Sequence, residues 1–118
     1  TNLAEGRVED SAGAEARIAL AAGGHVVAAV AEPVVPGQEV LLSIRPERIE
    51  LAERPGGTGN SLAARVADCI YQGDHLRVQL DGGAHGFTVR LDRKSREWAP
   101  GTEVFAEFRP ADCRVIAP

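Results

Sequence analysis

Pro36-Gly37, a short alternating run and Arg45-Pro46-Glu47 form a frame that returns sixty-four residues later as Pro100-Gly101, Glu103-Val104 and Arg109-Pro110. A chain that states one strand-and-turn pattern twice is constrained to fold as two similar units. Two further blocks extend the copy. Arg7, Val8 and Asp10 match Arg65, Val66 and Asp68 at offset 58, and Arg17, Leu20, Gly23 and His25 match Arg77, Leu80, Gly83 and His85 at offset 60. Together with Pro36, Gly37, Glu39, Val40, Arg45 and Pro46 at offset 64, thirteen identities fall in one order. The offset grows only between strand-like segments, as it does when insertions are confined to loops. Two copies are too few for a solenoid, which leaves a pair of small β units packed on each other.

At 118 residues, each half of the chain is near the size at which a unit buries too little surface to stand alone, so mutual packing or dimerisation is expected. An apolar share of 44% and a charged share of 25% are ordinary for a globular domain. The net charge of −4 is spread over interspersed acids and bases, which excludes a nucleic-acid footprint or a polybasic anchor. No apolar run reaches the roughly 20 residues of a membrane helix, so direct membrane insertion is not expected. Cys69 and Cys113 lie in strand-like segments and read as free, buried thiols of an intracellular protein. With no methionine and a start at Thr1-Asn2-Leu3, the chain reads as a piece of a longer protein.

Alternation of period two dominates. Ile18 and Leu20 alternate with Arg17 and Ala19, as Val78 and Leu80 do with Arg77 and Gln79. Val27, Ala29 and Ala31 are set against Phe87, Val89 and Leu91, and Val40, Leu42 and Ile44 against Val104, Ala106 and Phe108, as the shared inward face. That places Arg45 and Arg109 on the opposite face of their strands. Gly23-Gly24 and Asp81-Gly82-Gly83 sit where hairpins need positive φ, and Pro36-Gly37 and Pro100-Gly101 read as type II turns. Short helical turns are allowed after Pro46 and Pro110 and around residues 93–98. The division is residues 1–53 as the first unit, its N-terminal strand free to pair with the second, 54–60 as linker, and 61–118 as the second unit. Four or five short strands per copy predict an all-β fold of two tandem OB-like barrels packed together.

Catalytic constellations are missing from the sequence. His25, His75 and His85 stand at strand starts without C-x-x-C, H-x-x-x-H or H-E-x-x-H spacing, so no metal site is expected. Nothing lowers the pKa of either thiol for a Cys-His nucleophile, and no Gly-x-Ser-x-Gly elbow is present. Neither Gly56-Gly57-Thr58-Gly59 nor Gly82-Gly83 leads into Gly-Lys-Ser/Thr, so no P-loop exists. Of the aromatic residues, Phe87 and Phe108 fall inward, which leaves too few stacking platforms for single-stranded nucleic acid.

Asn2-Leu3-Ala4-Glu5-Gly6-Arg7-Val8 and the run from Pro36-Gly37 through Arg45-Pro46-Glu47-Arg48-Ile49 resemble the TOBE (transport-associated OB) domain of ABC-transporter ATP-binding subunits, the polyamine type above all. Val66 to His75 resembles that family's second unit, a strand ending in a hydrophobic-aromatic-x-Gly turn. Ala111 stands where a second Glu47 would be, a departure from the motif. The resemblance implies a MOP-like/TOBE pair of barrels that is not itself an enzyme. It implies a regulatory domain that holds two ATPase subunits together and can receive regulatory signals. Its partners would be a second copy, the parent nucleotide-binding domain and the transporter's membrane subunits, at the cytoplasmic face of a bacterial membrane. ATP and Mg2+ would belong to the parent's nucleotide-binding domain, with no cofactor in this chain. Under it, Arg45, Pro46, Glu47, Arg109 and Pro110 are the candidate structural or regulatory residues, each arginine placed to clamp a carboxylate such as Glu47 or a loop carbonyl. The alternative is a small-oxyanion module of the molybdate or tungstate kind, against which Glu47 beside the anion is electrostatically unfavourable.

Overall fold

The computed structural model describes residues 1–56, 59–82, 84 and 86–116. Among them, the alternating segments form two five-stranded sheets. In the first, β1 (Asn2–Ala12), β2 (Glu15–Leu20), β3 (His25–Ala29), β4 (Glu39–Ile44) and β10 (Cys113–Ile116) close into a barrel in the order β1-β2-β3-β10-β4. The second is a curled sheet of β5 (Glu50–Ala52), β6 (Asn60–Tyr71), β7 (His75–Gly82), β8 (Thr88–Asp92) and β9 (Glu103–Phe108), ordered β5-β9-β6-β7-β8. The all-β pair of OB-like units expected from the sequence is the fold adopted.

Strand membership departs from chain order in one way that the repeat does not announce. β5, from the first copy, pairs with β9, while β10, from the second, pairs with β4. The N-terminal strand stays within its own unit, against β2 and β4. Proline explains where the crossing occurs. Pro46 and Pro110 lack the N–H that a ladder needs, so each strand before them ends. Each proline then opens a 3-10 turn, Pro46–Arg48 or Pro110–Asp112, that carries the chain over to the other sheet. Ile49 and Cys113, the residues that follow, are both buried and anchor the crossed strands.

The other repeated residues also have physical roles. Val35 O accepts from Gln38 N at 3.1 Å and Ala99 O from Thr102 N at 3.1 Å, closing the two Pro-Gly turns with Gly37 at φ 89° and Gly101 at φ 88°. Each turn amide donates back to its unit's first strand, Gly37 N to Val8 O and Gly101 N to Val66 O, both at 2.7 Å. One β-bulge per copy follows, between Val8 and Asp10 and between Val66 and Asp68. There the carboxylates of Asp10 and Asp68 accept from the next amide, each at 2.8 Å.

Pairing corrects the repeat alignment at two places. Val8 lies opposite Ile18, and its counterpart Val66 opposite Leu80, so Ile18 corresponds to Leu80 and not to Val78. The cause is a longer β6–β7 hairpin, and a slip of two residues preserves facing, which hides it from alternation. Arg17 and Leu20 therefore do not stand where Arg77 and Leu80 stand; Gly83 and His85 lie outside the described residues. In β3 the slip is odd and the faces flip. Val26 and Ala28 are buried, Val27 and Ala29 only half-buried and Ala31 exposed, whereas Phe87 and Val89 are buried as expected. At residues 93–98 a single turn forms and does not continue as a helix: the Asp92 carbonyl accepts from Ser95 N at 2.9 Å and its carboxylate from Lys94 N at 2.8 Å. One contiguous core joins both units, from Val8, Ile18 and Leu42 through Ile49 to Val66, Val104 and Phe108.

Candidate functional site

The two Arg-Pro turns are the places where the copies exchange chain, and they come together. Glu47, Arg48 and Glu50 of the first crossing line a cleft of about 430 Å3 with Glu107, Phe108, Arg109 and Asp112 of the second. Pro46–Arg48 packs on β8 and Pro110–Asp112 on β3, so each turn rests on the sheet it is entering.

Electrostatically the two crossings differ. Arg109 donates to Asp112 from Nε at 2.9 Å and Nη2 at 3.4 Å, a forked pair, and this hydrogen bond holds the guanidinium pKa above its ordinary value. The residue matched to Asp112 in the first copy is Arg48, which cannot accept. Arg45 consequently has no side-chain hydrogen bond or ion pair among the described residues, and the clamp on Glu47 that its position allows is not made. Of the two candidate arginines, only the second braces its own turn through its side chain. Carboxylates outnumber guanidiniums in the cleft by four to two, which disfavours an oxyanion there.

Two asparagines complete the junction, and the repeat reading passes over them. Asn2 Nδ2 donates to Thr88 O at 2.8 Å while its Oδ1 accepts from Thr88 N at 2.8 Å. Asn60 does the same to Val27, at 2.8 Å and 2.7 Å. Both side chains are buried, at 6% and 7% exposure, and each begins the first strand of one unit while gripping backbone in the other. A primary amide supplies one donor and one acceptor side by side, matching a residue's own N–H and C=O. Extending the offset of 58 from Arg7/Arg65 back by five residues reaches this pair, and would have found it.

Cys113 is buried where the first copy has Ile49, and burial pushes its thiol pKa up to about 12. It fills space as a small apolar residue and is no nucleophile. Cys69 is half-buried. His75 Nδ1 lies 2.6 Å from Asp74 Oδ1, which with Arg90 holds that carboxyl below its usual range, and His25 Nε2 lies 3.2 Å from Glu9. No group of three or more His, Cys, Asp or Glu side chains among the described residues is arranged for a metal ion. No helix among them is long and apolar enough to cross a membrane.

Comparison with known proteins supplies the remaining observations. Residues 42–116 match the TOBE domain. The chain is 33% identical over 114 residues to the spermidine/putrescine import ATP-binding protein PotA of Pseudomonas aeruginosa (strain UCBPP-PA14), an alignment covering 93% of this chain. It spans 30% of the length of that relative. A crystal structure of the cytoplasmic molybdate-binding protein ModG with molybdate bound superposes with a TM-score of 0.83 at 17% identity, covering 99% of this chain and 96% of that one. That likeness shows the fold alone.

Proposed function

The chain belongs to the TOBE domain family, and on that premise we propose that it is the C-terminal regulatory and dimerisation domain of an ABC-importer ATP-binding subunit of the polyamine type. The observation that carries the reading is the alignment of nearly the whole chain with under a third of an import ATP-binding protein. A TOBE domain is a non-catalytic domain, and this sequence holds no P-loop for ATP. ATP and Mg2+ are accordingly assigned to the parent's nucleotide-binding domain, and the partners to that domain, the transporter's membrane subunits and a second copy. The place of action is then the cytoplasmic face of the membrane.

Physically, such a domain works through effective concentration. A lasting contact between two tails makes re-closure of two ATPase heads an intramolecular event. A fused core with reciprocal strands suits the task, because a tether that unfolded piecewise would lose the contact. Regulation follows if a ligand of the tail distinguishes open from closed heads.

The test is made in the parent. Deleting this domain is expected to raise the subunit concentration needed for half-maximal ATPase activity while leaving the Walker chemistry intact. An unchanged concentration dependence contradicts the proposal. Calorimetric titration of this chain with molybdate separates the other reading: saturable heat and a thermal shift of size RT ln(1 + [L]/Kd) would favour an oxyanion module.

A further inference from the structure

The chain leading into the second unit is laid along the second Arg-Pro crossing. Ahead of β6, Gly56 donates its amide to the Glu107 carboxylate on β9. Gly59 lies so close to the turn that a Cβ there would come within 2.9 Å of Phe108 O and 3.3 Å of Arg109 Cα. Register repeats this entry in the first unit. Asn2 pairs with Ile44 as Asn60 pairs with Phe108, and Leu3 with Ser43 as Ser61 with Glu107. Thr1 therefore enters beside Arg45 as Gly59 enters beside Arg109, and chain ahead of Thr1 is directed along the Arg45 crossing. Thr1 carries the Cβ that Gly59 does without, so contact at the first crossing falls to side chains rather than to pressed backbone.

Side chains at the first crossing are exposed and unpaired. Arg45, Glu47 and Arg48 make no side-chain hydrogen bond or ion pair among the described residues. The second copy provides an internal control. Both turns are opened by a proline and are three residues long, and in the second the fork of Arg109 is filled from within by Asp112, at 2.9 Å and 3.4 Å. What the first turn lacks is the carboxylate. Arg48 takes its place, so two guanidiniums stand at the positions where the second copy has an ion pair. Like charges so placed repel until an acceptor comes between them.

We propose that Arg45, with Arg48 beside it, is the docking point for the segment of the parent chain immediately ahead of Thr1, and that an aspartate or glutamate of that segment fills the fork as Asp112 does at the second turn. This rests on the reading above, in which a chain spanning 30% of its import ATP-binding relative is one part of a parent. Charge favours a tethered carboxylate over a free anion. Glu47, Glu50 and Asp112 lie around Arg48, a field that repels a diffusing anion. A carboxylate a few residues along the same chain overcomes it through its high effective concentration. The entering chain is then held at two points, by the Asn2 grip on Thr88 and by the Arg45 clamp. That makes the joint to the upstream domain stiff, so a ligand on the tail can bias the head.

The parent's sequence gives the first test. An Asp or Glu should stand within about four residues ahead of Thr1, the distance a guanidinium and a carboxylate span between them along extended chain at about 3.3 Å per residue. Hydrogen exchange gives the second. Amides of Arg45, Glu47 and Arg48 should exchange about tenfold slower in the parent than in the 118-residue chain, as one charge-assisted hydrogen bond implies. Those of Ala111 and Asp112 should be the same in both. Arg45→Gln in the parent should abolish the difference. Arg48→Asp, which copies the second turn, should abolish it too by giving Arg45 a partner of its own, and should not lower the melting temperature of the 118-residue chain, which tells lost docking from lost folding. No acid at those positions, or three amides that exchange alike in parent and chain, overturns the docking. The concentration dependence of the parent's ATPase activity still judges the dimerisation reading on its own. A native polypeptide with nothing ahead of Thr1 overturns both.

Discussion

The first barrel closes through backbone and the second sheet through side chains. In the first, β10 reaches β3 in a parallel bridge, Arg114 against Ala29. In the second, β5 and β8 occupy the matching edges but form no ladder. There the loops beyond the two edges are tied by Arg96, which meets Glu53 at 2.5 Å and lies 3.9 Å from the centre of the Trp98 ring. Trp98 is buried where the first copy has the smaller Val34. What both copies keep is the crossing at the Arg-Pro turn, the asparagine grip, the bulge and the Pro-Gly turn. Of these, the crossing and the asparagine grip hold the two halves to each other, the bulge and the Pro-Gly turn shape each unit from within, and seam closure is left to vary.

The comparison breaks or sharpens under substitution. Ile49 and Cys113 anchor the exchanged strands at equivalent depth, so Ile49→Ala should cost about 2–5 kcal/mol in chemical denaturation, from the lost methylenes and the cavity left behind. Cys113→Ala removes less volume and should cost under about 2 kcal/mol. Equal costs would mean that the crossings are not packed alike.

Asn2→Ala and Asn60→Ala each leave a part-buried N–H and C=O without their partner, for an expected loss of about 1–3 kcal/mol apiece. The two should agree closely, since the geometry repeats to within 0.1 Å. A loss confined to one of them breaks the quasi-two-fold account.

Arg96→Gln should cost about 1 kcal/mol or less, because the ion pair is solvent-exposed. Its signature is local: Trp98 emission shifts red and amides of residues 88–92 exchange faster, with the first barrel unaffected. Equal acceleration in β3 would deny the second sheet its own seam.

At neutral pH the smallest effect is that of the Cys113 thiol, which is protonated folded and unfolded. Its folded pKa is raised to about 12, above the ordinary value of roughly 8.5. The stability it contributes is thus complete below the ordinary value and is lost as pH climbs toward 12. Cys113→Ala should flatten that alkaline decline, and in the native chain Ellman's reagent should label Cys69 first.

Much of this was legible in the residues. Pro-Gly and Arg-Pro punctuation marked turns that require those residues, and alternation placed Leu42, Ile44, Val104 and Phe108 inside, where they are. Exchange of the last strands was not legible, because β5 and β10 have the same local pattern whichever sheet they join; only long-range pairing decides. The β2 and β7 alignment failed for a related reason, an even slip that alternation cannot register. Asn2 and Asn60 were overlooked because a single polar residue at a strand start looks like loop chemistry until its partner backbone is seen. Arg45 and Arg109 shared a motif, but the residue three positions on, Arg48 or Asp112, decides which one is braced.

Native-state hydrogen exchange under increasing denaturant tests the central claim that reciprocal strands and asparagines fuse two copies into one cooperative body. Amides at Leu42 in the first barrel and Ala106 in the second sheet, both fully buried, should exchange through a single opening with the same free energy and the same denaturant dependence. Two distinct openings, one per sheet, would contradict it.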